Sequence, residues 1–333
     1  MMRALFPLLR MSAALLALTA LPPAASAQEA APAKPTPADV VAAAPATDWR
    51  AIDPADLLVM ELAPDTAGQP RRVIIQLIPP PFSAGWTGNI RALARAHWWD
   101  GTSVYRVVDN WVAQWGDGED DKPDAKPLPG GLLVVPESDY LTPIETGPED
   151  GRDFVLTPEK QEVVINRWID SYAITGFAAG WPIALDDSGG RSGWPVHCYG
   201  SVGVARDLSP DTGTGAELYA VIGHAPRALD RNIAVVGRVI AGIEHLSTLP
   251  RGRGEAGVYD DAALRVPIRS VRLGDELPPA ERPHFEYLAS DSASFARYLH
   301  LRANRDDDFY RAPAKGVDIC NAPVPLRQIV KGN

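Results

Sequence analysis

The sequence predicts a mainly β fold, either a barrel or a sandwich, because short strand-like runs are many and helical runs are few. Each short run is rich in β-branched and apolar residues and is bounded by glycine, proline or polar residues, which is typical of strands. The chain has 333 residues, of which 46% are hydrophobic and 22% are charged. That composition is ordinary for a globular protein and supplies enough apolar residues for a sizeable core.

Residues 1–27 are typical of a secretory signal peptide. Arg3 and Arg10 supply the charged start, and the apolar run 11–21 is too short to span a bilayer as a mature helix. The small residues at 25–27 form a cleavage motif, so we expect an exported protein in a bacterial periplasm. No later run reaches membrane-spanning length, and we expect no integral membrane segment.

The folded domain is expected to span residues 48–274, after an Ala/Pro-rich, flexible or extended linker at 28–47. Its predicted elements are strands at 56–62 and 72–77, a helix at 83–96, a strand at 99–114, a helix at 158–172, strands at 201–205, 217–222 and 233–239, a short helix at 240–249 and a strand at 266–273. The first two strands are expected to form a hairpin, and Thr157-Pro158 is typical of a helix start. Residues 275–333 are predicted to form an extension, helical over 283–302, that packs on the domain.

The segment 100–117, with the sequence DGTSVYRVVDNWVAQWGD, is the most informative about function. Arg106 lies in an apolar strand pattern, and Trp111 and Gln114 follow at short spacing before a Gly-Asp turn. Arginine is seldom buried without a partner or a function. Arg106 could simply pair with an acidic side chain in the core, so the surrounding pattern decides between the two interpretations.

This segment resembles the core signature of the cyclophilins, the prolyl cis-trans isomerases. That family has aspartate-glycine-threonine, then phenylalanine-histidine-arginine, then phenylalanine-methionine-x-glutamine-glycine-glycine-aspartate. Further blocks that resemble the family follow in the family's order, at 89–94, 200–206, 214–219 and 228–239. The resemblance covers about residues 57–273. It implies a closed antiparallel barrel of eight strands capped by two helices, with a partly helical insertion at about 118–199.

The resemblance implies that the protein is a peptidyl-prolyl isomerase, and it assigns roles to individual residues. Arg106 falls on the catalytic arginine, and Gln114 falls on the glutamine that binds substrate beside it. The other substrate-binding positions correspond to Trp111, Val112, Ala205, Arg206, Glu217, Tyr219, Leu229 and Ile233. Such a reaction needs no metal, nucleotide or other cofactor. Its partners would be proline-containing peptide segments of exported client proteins.

Several pocket positions depart from the family pattern. Glu217 replaces a glutamine, Tyr219 replaces a phenylalanine, and Ile233 replaces a ring that is usually histidine or tyrosine. Ala228 stands where many members have a bulky residue. Glu217 could contact the substrate or pair with Arg106. A second hypothesis therefore stays open, in which the chain is a cyclophilin-fold binding module or chaperone with weak or no turnover.

The two cysteines, Cys198 and Cys320, are expected to form a disulfide in an oxidising compartment. The alternative is two separate buried thiols. The six histidines show no ligand spacing, so no metal site is expected. The formal net charge of −10 argues against nucleic acid as a partner. We expect a monomer.

Overall fold

An eight-stranded antiparallel barrel forms the centre of the protein. The computed structural model describes residues 34–118, 125–146, 153–158, 161–186 and 191–329. The helices are α1 (Pro37–Ala42), α2 (Ala84–Arg95), α3 (Glu244–Ser247) and α4 (Ala293–Ala303). The strands are β1 (Trp49–Ala51), β2 (Leu57–Leu62), β3 (Arg71–Leu77), β4 (Ser103–Val107), β5 (Val112–Gly116), β6 (Thr142–Pro143), β7 (Glu145–Thr146), β8 (Asp153–Leu156), β9 (Glu162–Ile169), β10 (Ile174–Ala178), β11 (Trp181–Leu185), β12 (Ser192–Pro195), β13 (Ser201–Val204), β14 (Leu218–Val221), β15 (Val235–Ala241), β16 (Val266–Leu273), β17 (Phe285–Leu288) and β18 (Leu326–Gln328). The barrel closes in the order β13-β14-β5-β4-β16-β2-β3-β15, which confirms the closed barrel that the family resemblance implies.

Apolar residues that alternate along the barrel strands fill its interior. On the β2–β3 hairpin, Leu58, Met60 and Ile75 are almost fully buried in one core cluster. Trp86 and Ile90 lie four residues apart on one face of α2, and both are 0% exposed in the same cluster. Burying a side chain of this size contributes about 1.5–3 kcal/mol, so the apolar face holds α2 on the barrel. The predicted hairpin and the predicted helix at 83–96 are confirmed.

The region between β5 and β13 folds as a second sheet, in the order β6-β12-β11-β10-β9-β8-β7. The helix expected at 158–172 is wrong, because Glu162–Ile169 is strand β9, which pairs with β8 and β10. Residues 163–165 are all β-branched, and two neighbouring strands satisfy the backbone of β9, which outweighs the local helix-start signal. The insertion is therefore a sheet rather than a partly helical segment. Its helical content in the described residues is one 3₁₀ turn, Glu137–Tyr140.

The C-terminal extension forms a small sheet with the start of the domain. Strand β17 pairs with β1 on one side and with β18 on the other. The helix expected at 283–302 is wrong in its first part, since Phe285–Leu288 is strand β17. Helix α4 begins after Ser292, whose hydroxyl accepts the backbone N–H of Phe295. This N-cap sets the start of the helix, because the hydroxyl satisfies a backbone donor that has no partner within the helix.

A second apolar core joins the inserted sheet and the C-terminal extension. Phe177 of β10 packs edge-on against Phe295 of α4, with 5.0 Å between the ring centroids, and Leu288 lies in the same cluster. Cys198 and Cys320 form a disulfide with a Cα–Cα distance of 5.1 Å. The disulfide therefore links the extension to the segment that leads into β13.

Residues 34–47 differ from the expected flexible linker, because they contain helix α1. Thr36 and Asp39 form a capping box at its start, and Val40 is buried in the core that contains α4. This tertiary contact cannot be read from an Ala/Pro-rich composition. The predicted signal peptide, residues 1–27, lies outside the described residues. Among the described residues, no helix has the length and apolarity needed to cross a membrane.

Candidate active site

Four residues on adjacent barrel strands lie side by side in one row. Arg106 on β4 is opposite Gln114 on β5. Gln114 is opposite Tyr219 on β14, and Tyr219 is opposite Gly203 on β13. Directly opposed residues of antiparallel strands project to the same face of a sheet. The register of the barrel therefore brings the two predicted catalytic residues next to the predicted pocket residue Tyr219.

A β-bulge in β4 directs two side chains toward Gln114. Between two successive residue pairs, β4 has one residue more than β5, and that extra residue is Tyr105. Nη1 of Arg106 donates to Oε1 of Gln114 at 2.8 Å. Nε2 of Gln114 donates to the Tyr105 hydroxyl. The Gln114 carboxamide is therefore held at both ends.

The Arg106 guanidinium is half-buried and only partly hydrogen-bonded. Its Nε donates to the carbonyl oxygen of Ala256 at 2.7 Å, and its Cζ lies 5.2 Å from the centroid of the Trp111 ring. Burial lowers the pKa of Arg106, yet an arginine remains protonated in proteins. Within the part of the chain that the structure describes, its hydrogen bonds go to Gln114 and Ala256. A guanidinium has five N–H groups, so donors remain for a ligand.

A cluster of apolar side chains lies beside this row, and we call this cluster the apolar pocket. Its residues are Val108, Val112, Ala205, Tyr219, Val221, Leu229 and Ile233. Val112 of β5 is opposite Val221 of β14, which is two residues from Tyr219 and therefore on the same face. The structure thus gathers the apolar residues that were assigned to substrate binding from the family resemblance. Trp111, whose side chain is exposed, lies beside Arg106 at the turn between β4 and β5.

The Glu217 carboxylate is buried and hydrogen-bonded to a side chain of β4 and to the backbone just after β5. It accepts from the Tyr105 hydroxyl at 2.9 Å and from the backbone N–H groups of Asp117 at 2.7 Å and Gly118 at 3.2 Å. Sequence reasoning did not single out Tyr105. The side chains from Glu217 through Tyr105 and Gln114 to Arg106 form one hydrogen-bonded chain.

A cavity of about 630 Å³ adjoins the apolar pocket and shares Ala205 with it. Its lining includes Gln114, Arg206 and Glu217 and carries charges of both signs. Arg206 is half-buried, and its Nε and Nη2 donate to the Asn232 carbonyl at 3.0 and 2.9 Å. The predicted residues Arg206 and Glu217 therefore line the polar cavity, and Ala205 borders both the cavity and the apolar pocket. Trp111 contacts Arg106, and the other predicted binding residues belong to the apolar pocket.

Sequence reasoning also missed His197, which is fully buried behind the apolar pocket. Its Nε2 lies 2.9 Å from the Tyr219 hydroxyl, and its Nδ1 lies 3.0 Å from Oδ1 of Asp230. Burial raises the pKa of Tyr219, so the hydroxyl is protonated and can donate. His197 lies just before the family-like block 200–206 and shows no metal-ligand spacing. The replacement of a phenylalanine by Tyr219 is the available signal, because a buried hydroxyl needs a partner.

The chain is similar to known proteins in sequence and in fold. The chain matches the sequence profile of the family "Cyclophilin type peptidyl-prolyl cis-trans isomerase/CLD" over residues 84–273. The crystal structure of cyclophilin AquaCyp293 from Hirschia baltica is similar with a TM-score of 0.59 and 23% sequence identity, covering 90% of this chain and 100% of that chain. A cyclophilin type peptidyl-prolyl cis-trans isomerase from Cryptosporidium parvum has a TM-score of 0.36 and 12% identity, covering 67% of this chain and 99% of that chain. No curated protein sequence matches this chain.

The family match runs from α2 to β16 and so includes every strand of the row and of the apolar pocket. The Hirschia baltica structure supports the same fold. The chain therefore belongs to the cyclophilin-type peptidyl-prolyl cis-trans isomerase family.

Proposed function

We propose that this isomerase acts on X-Pro bonds of exported proteins, and that Arg106 stabilises the twisted amide while the prolyl ring occupies the apolar pocket. The observation that carries the proposal is the row in which Arg106, Gln114 and Tyr219 are directly opposed on β4, β5 and β14. A prolyl ring resting against Tyr219 would lie two strands from the guanidinium, with Gln114 between them.

The chemistry of the reaction matches these side chains. The bond before a proline has partial double-bond character, with a rotation barrier of ~18–20 kcal/mol. Twisting that bond localises a lone pair on the prolyl nitrogen. A guanidinium N–H can donate to this lone pair more strongly in the twisted state than in the planar state, which is stabilisation specific to the transition state. An apolar surrounding strengthens that interaction, because little water competes for it.

The neighbouring residues would orient the arginine and hold the peptide. Gln114 receives one guanidinium N–H and is itself held through Tyr105, which restricts the orientation of Arg106. Trp111 covers one side of the guanidinium. In this proposal the lining of the polar cavity, including Arg206 and Glu217, contacts the peptide on the side next to the prolyl pocket.

The export of the protein and of its clients is part of the proposal. Residues 1–27 have the pattern of a cleaved signal peptide, and the Cys198–Cys320 disulfide favours an oxidising compartment such as the periplasm. We further propose a monomer. Mass spectrometry of protein purified from the periplasm should give a chain that begins at Gln28, and light scattering should give the mass of one chain. An uncleaved chain retained in the cytoplasm would contradict the export proposal.

A protease-coupled assay on a short X-Pro peptide tests the catalytic role. We expect Arg106→Ala to lower kcat/KM by about 10²-fold or more, the size expected for loss of a donor that stabilises a transition state. Arg72→Ala is a matched control, because Arg72 lies on β3 and pairs with Glu61 at the surface. Equal activity of the Arg106→Ala variant and the wild type would contradict the proposed mechanism.

A second candidate function is peptide binding with weak or no turnover. The rim of the pocket favours it, because Ala228 is exposed and small and Ile233 is only half-buried, so neither position supplies a closing ring. NMR exchange spectroscopy on a prolyl peptide separates the two functions. Binding without accelerated cis-trans exchange, and with Arg106→Ala unchanged, would favour the binding module.

A further inference from the structure

A chain of buried polar side chains ends at the apolar pocket. Oδ1 of Asp230 lies 3.0 Å from Nδ1 of His197, and Nε2 of His197 lies 2.9 Å from the Tyr219 hydroxyl. His197 is 0% exposed, Tyr219 4% and Asp230 8%. A carboxylate only accepts hydrogen bonds, so Nδ1 of His197 carries a proton. In the neutral imidazole, Nε2 then accepts the hydrogen of the Tyr219 hydroxyl.

Arg227 and the backbone of His197 hold Asp230 in position. Nε of Arg227 donates to Oδ2 of Asp230 at 2.6 Å, and Nη1 of Arg227 donates to Asp170 at 3.0 Å. Oδ1 of Asp230 also accepts the backbone N–H of His197 at 3.0 Å. Asp170 directly follows β9 of the inserted sheet. The hydrogen-bonded chain therefore connects the insertion to the floor of the pocket.

The path of the Tyr219 hydroxyl is open in the direction of His197. Gly203 lies opposite Tyr219 on β13, and a Cβ atom at position 203 would collide with the Tyr219 hydroxyl. Because Gly203 has no side chain, the Tyr219 hydroxyl can extend past β13, while the Tyr219 ring stays packed with Val112 and Val221. The phenol is held at its polar end and presents its carbon atoms to the pocket.

We infer that His197 is a positioning residue of the isomerase site, which fixes the aromatic floor under the prolyl ring by accepting the Tyr219 hydroxyl. This inference rests on the proposed prolyl pocket. It means that part of the pocket's specificity for proline depends on His197, which lies outside the pocket. Without this acceptor, the buried hydroxyl needs another partner, and a turn toward the pocket would place a polar group against the prolyl ring. Loss of the acceptor at position 197 would therefore weaken binding of the prolyl ring and leave the role of Arg106 in the reaction unchanged.

Two amide substitutions of His197 separate positioning from core filling. In His197→Asn, the side-chain amide would lie near the position of Nδ1. It would therefore keep a hydrogen bond to Asp230 and lose the hydrogen bond with the Tyr219 hydroxyl. The longer Gln side chain reaches the position of Nε2 and can accept from Tyr219. We expect His197→Asn to raise KM for an Ala-Pro peptide about five- to tenfold and to change kcat less than about twofold. The reason is that the Tyr219 ring contacts the prolyl ring equally in the ground state and in the transition state. His197→Gln should stay within about twofold of wild type in both constants.

Tyr219→Phe provides the matching test from the other partner, because it removes the hydroxyl and keeps the ring. The Tyr219→Phe variant provides its own reference KM, and His197→Asn should raise KM no further in that background, as expected for two residues that act through one contact. Circular dichroism and urea unfolding establish that each variant is folded. If His197→Asn does not fold, Gly203→Ala displaces the same hydroxyl from the other side and should raise KM similarly.

Several results would overturn the inference. These are equal KM values for His197→Asn and His197→Gln, an Asn effect that persists undiminished in the Tyr219→Phe background, or an unchanged KM in the Gly203→Ala variant where that variant replaces His197→Asn. The proposed isomerase function is tested separately by kcat. It fails if the wild type has no turnover, and the proposed mechanism fails if Arg106→Ala turns over as fast as the wild type. In a chain without turnover, the Kd of the Ala-Pro peptide measured by NMR titration reports the effect of His197 on the same variants.

Discussion

Arg106 and Gln114 face each other across β4 and β5, and Nη1 of the arginine donates to Oε1 of the glutamine at 2.8 Å. Gln114 also donates to Tyr105, and Tyr105 donates to Glu217. The orientation of the guanidinium therefore depends on a chain of side chains that ends at a buried carboxylate. This arrangement predicts that residues without direct contact to the prolyl bond affect the rate.

Gln114→Ala should lower kcat/KM by about tenfold, because the guanidinium loses the acceptor that orients it and a typical hydrogen bond contributes on this scale. The loss should be smaller than that of Arg106→Ala, since the charged donor is still present. The protease-coupled assay measures it, with Gln328→Ala on the exposed strand β18 as the control. An unchanged rate would show that Gln114 does not orient Arg106.

Glu217→Gln should keep or raise isomerase activity, because it restores the residue type of the family and retains one oxygen acceptor. The unfolding free energy should fall by about 1–3 kcal/mol, since the amide cannot accept from both the Tyr105 hydroxyl and the N–H groups of Asp117 and Gly118. Urea unfolding and the peptide assay measure the two effects. Glu61→Gln is the control, as a surface ion pair contributes little. A collapse of activity in a folded Glu217→Gln variant would refute the expectation.

Removal of the disulfide by Cys198→Ser with Cys320→Ser should lower the unfolding free energy by about 3–5 kcal/mol, because a long loop is no longer closed in the unfolded chain. The two cysteines are 122 residues apart in the sequence. Activity of the folded fraction should be retained, since neither cysteine belongs to the row or to the apolar pocket. Urea unfolding in the presence and absence of reductant measures the effect. Wild-type protein should become equally unstable when reduced, and identical stability of the two redox forms would contradict the prediction.

The Asp170–Arg227 ion pair predicts a loss of stability in acid. Burial alone would raise the pKa of the Asp170 carboxyl, but hydrogen bonds from the Tyr172 backbone and from Arg227 hold it below its ordinary value. A carboxyl with a lowered pKa in the folded state stabilises the fold above its unfolded pKa of about 4, and this stability is lost as the pH falls through the lower folded value. Asp170→Asn should therefore be less stable at neutral pH and depend less on pH below about 4. Urea unfolding across this range measures it, and equal pH dependence of both proteins would contradict the prediction.

The parts of the fold that follow local rules could be predicted from the sequence. The β2–β3 hairpin and helix α2 have side-chain periods that repeat within a few residues, and both appear where predicted. The sequence predicts a helix where strand β9 lies, because a helix-start signal precedes a run that is as compatible with a strand as with a helix. Strands β8 and β10 pair with the two edges of β9 and so stabilise the strand conformation. Such pairing cannot be predicted from the local sequence pattern.

The candidate site divides in the same way. Motif spacing along each strand is local, so the sequence was enough to align Arg106, Gln114 and the apolar pocket residues with the cyclophilin motifs. The three-dimensional fold was needed to show that Tyr105 donates to Glu217, 112 residues away, and that His197 contacts the Tyr219 hydroxyl, 22 residues away. Each of these contacts requires a buried polar atom to find a partner on another strand or loop. That partner is set by strand register and by the packing of the inserted sheet, and not by the residue's neighbours in sequence.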